Sequence, residues 1–456
     1  MDWGVVKPAA PRPISADPGR VDAFPGASWC ANMCGLRSVV RSRLRCQGAI
    51  MSSRSLGRNF HRLWAAAAVS NLGDGLRLVA FPLLAATVTR DPRLVAGVTV
   101  ALRLPWLLFS IPAGELADRV DRRKLMAFVS GIQAAVMALF GLALLAGGAQ
   151  LPLLYVVAFF PGIGEVTFDT AAQTLIPATV DQQNLERANG RLIVTERIVN
   201  ELIGPPVGSF LFAAVAAAPF ITDAFSFAIA AVLILTITGT FKASAAPTGS
   251  APHHSMLEGL RWVWSHRLFR SLTAFGAVWN FMSGAVASIL VLFALETLRT
   301  GEVGFGLLMA ALAIGGITGG LLAPWLRARI GPGTLMLSAS ALQGLAYGTA
   351  GLLSSPLWAG VTLAIGQVGF FAVLVVFFSL RQAIVPDHLL GRVTAAMRLI
   401  GAGALPLGAA FGGIIAGFLG LRAPFLVAAS GFLLVAILGA STINNASIDA
   451  EFGEAV

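Results

Sequence analysis

Apolar stretches of about twenty residues, the length that crosses ~30 Å of hydrocarbon as a helix, recur along nearly the whole 456-residue chain. They are continuous and do not alternate with period two, which selects helices over a β-barrel. Only these two architectures satisfy every backbone hydrogen bond in lipid. Composition agrees. Hydrophobic residues make up 56% of the chain and charged residues 12%, with a mean hydropathy of +0.79, whereas a soluble protein carries about a quarter charged residues. The chain therefore reads as an all-α membrane protein with twelve transmembrane helices. The spans fall near 61–88, 94–116, 125–147, 152–174, 191–214 and 219–241, then 270–297, 304–326, 334–353, 357–380, 395–419 and 422–441.

These spans divide the chain into a first six-helix bundle (55–241), a linker (242–268) ending in an amphipathic stretch from Met256 to His266, a second bundle (269–441) and a tail (442–456). Residues 1–54 differ from the rest. They hold all three cysteines (Cys30, Cys34, Cys46) and the arginine cluster Arg37–Arg45, and they lack an apolar run long enough for a signal peptide. They read as a disordered extension, or as translation upstream of a true start at Met51. Cys30 and Cys34 alone do not make a metal site, because the nearest histidine is His61 and no fourth ligand is evident.

The net charge of +10 raises a nucleic-acid partner, which the distribution argues against. Outside the spans, basic residues gather before span one, after spans two, four, eight and ten, and in the linker. Only Arg90, Arg93, Arg299 and Arg422 fall on the opposite side. By the positive-inside rule, both termini are expected in the cytoplasm. Three lysines among 32 basic residues, with abundant Ala and Gly, suggest a bacterial inner membrane. The halves also echo each other: Leu185-Glu186-Arg187 recurs as Leu390-Gly391-Arg392, and Ala218-Pro219-Phe220 as Ala423-Pro424-Phe425, both 205 residues on. A constant offset in the same direction implies two parallel six-helix repeats.

The loop after span two reads Gly114-Glu-Leu116-Ala-Asp118-Arg119-Val-Asp121-Arg122-Arg123-Lys124. It resembles the signature loop of the major facilitator superfamily, Gly-x-Leu-x-Asp-Arg-x-Gly-Arg-Arg/Lys, with Asp121 where Gly is usual. Three further segments, Ser70-Asn-Leu-Gly-Asp74-Gly75, Gly162-Ile-Gly164-Glu165 and Gln173-Thr-Leu-Ile-Pro177, look like the enterobactin-exporter and macrolide-efflux branch. The resemblance covers residues 55 to 441. It implies a cytoplasmic gate loop formed by Gly114, Asp118, Arg119, Arg122 and Arg123. In it, Asp118 would meet the positively polarised amino end of the eleventh helix, and Arg122 would pair with Asp169. Such a latch would bridge the halves and favour the outward-open state; otherwise the basic residues only fix topology. Gly204, Pro205 and Gly208 in span five are similar to the Gly-Pro-x-x-Gly core of an antiporter motif, or serve as a proline kink with small packing residues.

Charges within apolar spans cost ~2.5–3.5 kcal/mol each on insertion scales, so each needs a reason. Asp74, Arg77, Arg103, Glu165, Glu196, Glu201 and Asp223 all fall in the first half, along with Arg197. Burial and a neighbouring arginine push a carboxylate's proton affinity in opposite senses. Asp74 and Glu165, tuned by Arg77 and Arg103, are thus the candidate proton-coupling pair; the competing reading is a static ion network. Phe81, Trp106, Phe168, Phe225, Trp279, Asn280, Phe281, Met282 and Gln367 are candidates to line a path for lipophilic or cationic molecules.

The expectation is a secondary active, proton-coupled exporter of small amphiphilic molecules of drug, macrolide or siderophore type. Its other partner is the lipid bilayer, it carries no cofactor, and it acts as a monomer. The alternatives are an importer or metabolite carrier of the same fold, and a non-transporting membrane protein. An ATP-driven pump is set aside because no Gly-Lys pair exists to make a phosphate-binding loop. An enzyme is set aside because the five histidines lie at span edges or in loops.

Overall fold

The structure is a computed structural model that describes residues 56–239, 241 and 252–454. The expected N-terminal extension with its cysteines, and most of the central linker, lie outside the described residues. Helices account for every regular element among the described residues. The first series is α1 (Arg58–Val88), α2 (Pro92–Arg119), α3 (Arg122–Leu145), α4 (Leu151–Thr179), α5 (Leu185–Glu196), α6 (Gly204–Ala214) and α7 (Ala218–Leu235). After α8 (Pro252–Ser265) come α9 (Arg267–Leu292), α10 (Gly301–Ile330), α11 (Pro332–Leu352), α12 (Pro356–Ile384), α13 (Asp387–Leu419), α14 (Ala423–Gly439) and α15 (Asn445–Glu454).

Proline punctuates this order. α2, α4, α7, α11, α12 and α14 each carry proline in their first two positions, where the missing N–H has no helical partner to lose. Asp91 caps α2 by accepting from the Arg93 amide (2.9 Å). Asp121 caps α3 by accepting from the Arg123 and Lys124 amides (3.0 and 3.3 Å). The aspartate that replaces the usual glycine of the signature loop is therefore a helix cap.

Between α5 and α6 the chain winds as a π-helix over Arg197–Ile203. Pro205 and Pro206 follow at once. Neither can donate a helical hydrogen bond, and each ring crowds the carbonyl four residues earlier, so the preceding turn widens. The expected kink in span five takes this form.

Among the described residues eight helices are long and apolar enough to cross a membrane, and large apolar side chains face outward on many elements. Phe128, Leu139, Leu321 and Ile437 are 68–77% exposed, a surface suited to lipid. The chain is a multi-pass membrane protein. α1, which carries Asp74 and Arg77, the broken α5–α6 rod, α11 and the 17-residue apolar α14 pack with them.

Within residues 58–235, α2 packs on α4, α1 on α6 and α7, and α3 on α4 and α7. Within 267–439, α10 packs on α12, α9 on α13 and α14, and α11 on α12 and α14. The two groups meet through α2 against α13 and α6 against α10. α8 is longer than the expected amphipathic stretch and packs on α13, with Glu258 paired to Arg392. The tail holds an unexpected helix, α15. Its Asn445 accepts from the Gly333 amide (2.8 Å) and donates to the Ile330 carbonyl (2.9 Å), tying it to the α10–α11 turn.

Candidate functional site

The charges predicted inside the first half converge on Arg77. Its guanidinium bonds Asp74 one turn away on α1, approaches Glu165 of α4 at 3.3 Å, and lies 3.3 Å from Asp223 of α7. Asp223 is fully buried and Arg77 nearly so, whereas Glu165 retains about a third of its side-chain exposure. Asp223 also accepts from the Ser226 hydroxyl, and the Arg77 guanidinium stands 5.5 Å from the Phe227 ring centre. Gly73 makes this arrangement possible: a Cβ there would overlap the Asp223 carboxylate and the Ser226 hydroxyl.

The Gly-Pro-Pro-x-Gly segment buttresses the same site. Gly204 sits against Gly75, and Gly208 against Leu76, so closely that a Cβ at either would collide with the α1 backbone. The π-helical stretch adds Asn200, which donates to Asn71 on α1 (3.3 Å), and Arg197, which pairs with Glu201. Glu196 makes no ion pair or side-chain hydrogen bond among the described residues. Arg103 makes no ion pair among the described residues, and its electrostatic neighbour is Glu201. Of the two arginines expected beside Asp74 and Glu165, Arg77 alone pairs with them.

The signature loop is arranged differently from expectation. Arg122 bonds the Thr174 carbonyl on α4 (3.2 Å) and pairs with Asp118 (3.5 Å), not with Asp169. Asp169 lies five residues, or ~7.5 Å along the helix, from that carbonyl. Asp118 is mostly exposed, and among the described residues it makes no hydrogen bond to the amino end of α13. Arg123 donates to the Ile237 carbonyl just beyond α7 (2.6 Å). Arg119 pairs with Glu115, and Gly114 has open space where its Cβ would be. The guanidinium groups of Arg122 and Arg123 thus bind carbonyls near helix carboxyl ends, where positive charge is favoured, and hold together the first half only.

The distribution of contacts between the halves accounts for the missing latch. At the bundle end where α2 begins (the Arg93 end), the halves are joined. Arg90 pairs with Glu296 (3.6 Å), Arg93 stacks over Phe418 (4.3 Å), and Gly413 packs on Pro92 and Ala96. Gly306 of α10 likewise meets Pro205 and Ser209. At the opposite end, which carries Arg122, every side-chain hydrogen bond and ion pair among the described residues stays within 58–241 or within 252–454.

Deeper in the second half lies a cavity of about 450 Å³. Trp279 and Asn280 of α9, Phe370, Phe377 and Arg381 of α12, and Arg398 of α13 line it. Arg398 also stands over Trp106 of α2 (5.3 Å), and Arg197 over Phe371 of α12 (5.0 Å), so the wall faces the first half. Of the path candidates, Trp279 and Asn280 line this cavity. Phe81 is buried in an aromatic cluster with Phe140 and Phe220, and Phe225 points outward at 64% exposure. Polar groups were expected in the first half, and Arg381 and Arg398 were missed. The signal was available: each is a charge within an otherwise apolar helix.

Two helical groups joined at one end, with a shielded charge cluster on one wall and an aromatic cavity on the other, define a membrane transporter of the major facilitator class. The chain belongs to the transmembrane secretion effector family of that superfamily, whose pattern matches residues 56–451. It is 27% identical over 385 residues to the multidrug efflux pump Tap of Mycolicibacterium fortuitum, covering 82% of this chain and 93% of Tap. It is 26% identical over 344 residues to the enterobactin exporter EntS of Citrobacter koseri, covering 73% and 79%. Among solved structures, a bacterial homologue of the iron transporter ferroportin in an inward-facing state superposes with a TM-score of 0.66 at 16% identity, covering 85% of this chain and all of that one. A POT family transporter in complex with 5-aminolevulinic acid gives 0.68 at 14% identity, over 86% and 97%. These two share the fold.

Proposed function

We propose that the chain is a proton-coupled exporter of small amphiphilic molecules, working by alternating access across a bacterial inner membrane as a monomer. The observation that carries the coupling is Arg77 held among Asp74, Glu165 and Asp223 from three helices. One guanidinium cannot neutralise three carboxylates, so a proton is the natural partner for the remainder. Asp74 and Glu165 are the partly accessible members, and they are the ones that exchange protons with the cavity. The family and its efflux relatives support the outward direction of substrate movement.

In this reading all twelve rods cross the membrane, in two parallel six-helix repeats joined by the linker. The repeated packing pattern supports it: α2 on α4 matches α10 on α12, and α3 on α7 matches α11 on α14. The Arg122 end, with most of the loop arginines, faces the cytoplasm together with both termini. The separation of the halves there corresponds to an inward-open state. Asp118 meets α13 only when that end closes.

Everted membrane vesicles test the function. On energisation they should accumulate members of a panel of labelled antibiotics and fluorescent amphiphiles, and lose that uptake with a protonophore. Uptake that ignores the proton gradient, or uptake confined to right-side-out vesicles, would contradict the proposal.

A further inference from the structure

The cavity in the second half is chemically one-sided. It is lined by two guanidinium groups, Arg381 and Arg398, and by no carboxylate. Neither arginine forms an ion pair among the described residues. The Nε of Arg381 is buried without a hydrogen-bond partner, and so is the indole Nε1 of Trp279, a residue only 3% exposed. The Asn280 side chain already donates to the Gly276 carbonyl (2.8 Å). The charged groups of the wall are therefore all donors. A buried donor without an acceptor costs stability until a ligand supplies one. Around these donors Phe370 and Phe377 give an apolar, aromatic floor.

From this geometry we infer that the second-half cavity binds an organic anion with an apolar body. The acid head lies between Arg381 and Arg398, and the body rests on Trp279, Phe370 and Phe377. Guanidinium forks suit carboxylate, sulfonate and phosphate oxygens through paired, charge-assisted hydrogen bonds. On the first-half side Glu201 pairs with Arg197, whose guanidinium lies over Phe371 of α12; that carboxylate repels a second negative group and favours a positive one. A single acid head, alone or with a cation at the far end of the molecule, thus fits best. This replaces the lipophilic or cationic class expected from sequence. It rests on the export reading only in calling the ligand a substrate. The head could belong to a soluble amphiphile or to an acidic lipid, since both present the same oxygens.

The test is equilibrium binding to the purified protein in phosphatidylcholine nanodiscs. The probes are radiolabelled naphthalene-2-sulfonate and its trimethylammonium counterpart. Saturable sulfonate binding is expected, weakened tenfold or more by Arg398→Gln and by Arg381→Gln, and partly restored by Arg398→Lys. Repeating the titration with phosphatidylglycerol in the nanodisc separates the sources. Competition by that lipid, lost in the glutamine variants, assigns the head to a lipid; affinity indifferent to it assigns the head to a soluble amphiphile. Equal affinity for the two probes, or sulfonate binding unchanged in both glutamine variants that remain monodisperse, would overturn the inference. Binding needs neither gradient nor turnover. Its failure leaves the export reading standing, and absent export with binding intact contradicts that reading alone.

Discussion

Arg77 is the residue on which the account turns. Removing its charge by Arg77→Met leaves Asp74, Glu165 and Asp223 without a counterion, and breaking a buried pair in this way costs roughly 3–5 kcal/mol. The purified variant should unfold at a markedly lower temperature in detergent, and adding Asp223→Asn should recover part of the loss. If the double variant is no more stable than the single one, Asp223 is not held by that charge. Asp121 predicts a smaller effect. Asp121→Ala should cost about 1 kcal/mol through the lost cap on α3, read in the same assay. The gathering of Asp74, Arg77 and Glu165 was legible in the sequence because charges in apolar helices need partners, and a turn of helix brings Asp74 to Arg77. The 3.3 Å approach of Asp223 was not, because it depends on α7 lying against α1 at Gly73. Arg381 and Arg398 were lost for a simpler reason. The span drawn by hydropathy stops at residue 380, just before Arg381, whereas α12 runs on to Ile384; Arg398 fell inside the eleventh span but was passed over because no acid accompanies it there.

Among elements, the π-helical stretch before Pro205 aims Arg197, Asn200 and Glu201 toward α1 and the interior. Replacing Pro205 and Pro206 with alanine supplies the missing donors and allows an ordinary α-helix, which rotates those side chains away from their present partners. The double variant should insert normally and transport several-fold more slowly in vesicles; an unchanged rate would dissociate the stretch from function. Gly204→Val should be worse, since its Cβ would meet the α1 backbone at Gly75, and low yield of folded protein is the expected readout. The sequence announced a proline-marked break here but not its winding, which depends on how the freed carbonyls are accommodated. It likewise left α15 as a tail, because its polar composition has no period, and only the Asn445 contacts with the α10–α11 turn reveal why it folds.

At the scale of the whole molecule, the halves are joined at the Arg93 end and apart at the Arg122 end. In a background lacking Cys30, Cys34 and Cys46, Arg90→Cys with Glu296→Cys should be joined by a short bismaleimide in resting vesicles, because these two side chains pair across the halves at 3.6 Å. The yield should fall when the protein is driven to open at that end; a yield constant through the cycle would argue against rocking of the halves. The signature motif was readable from the loop alone, but the partners of Arg122 and Asp118 were not, because they depend on where α4 and α13 lie. The central claim is that the Arg77 cluster couples proton movement to export. The direct measurement uses proteoliposomes with a trapped pH dye, following proton flux when an exported substrate is added. Wild-type protein should move protons with substrate, and Asp74→Asn should exchange substrate across the membrane without moving protons. Undiminished proton flux in Asp74→Asn, with substrate transport at the wild-type rate, would contradict the account.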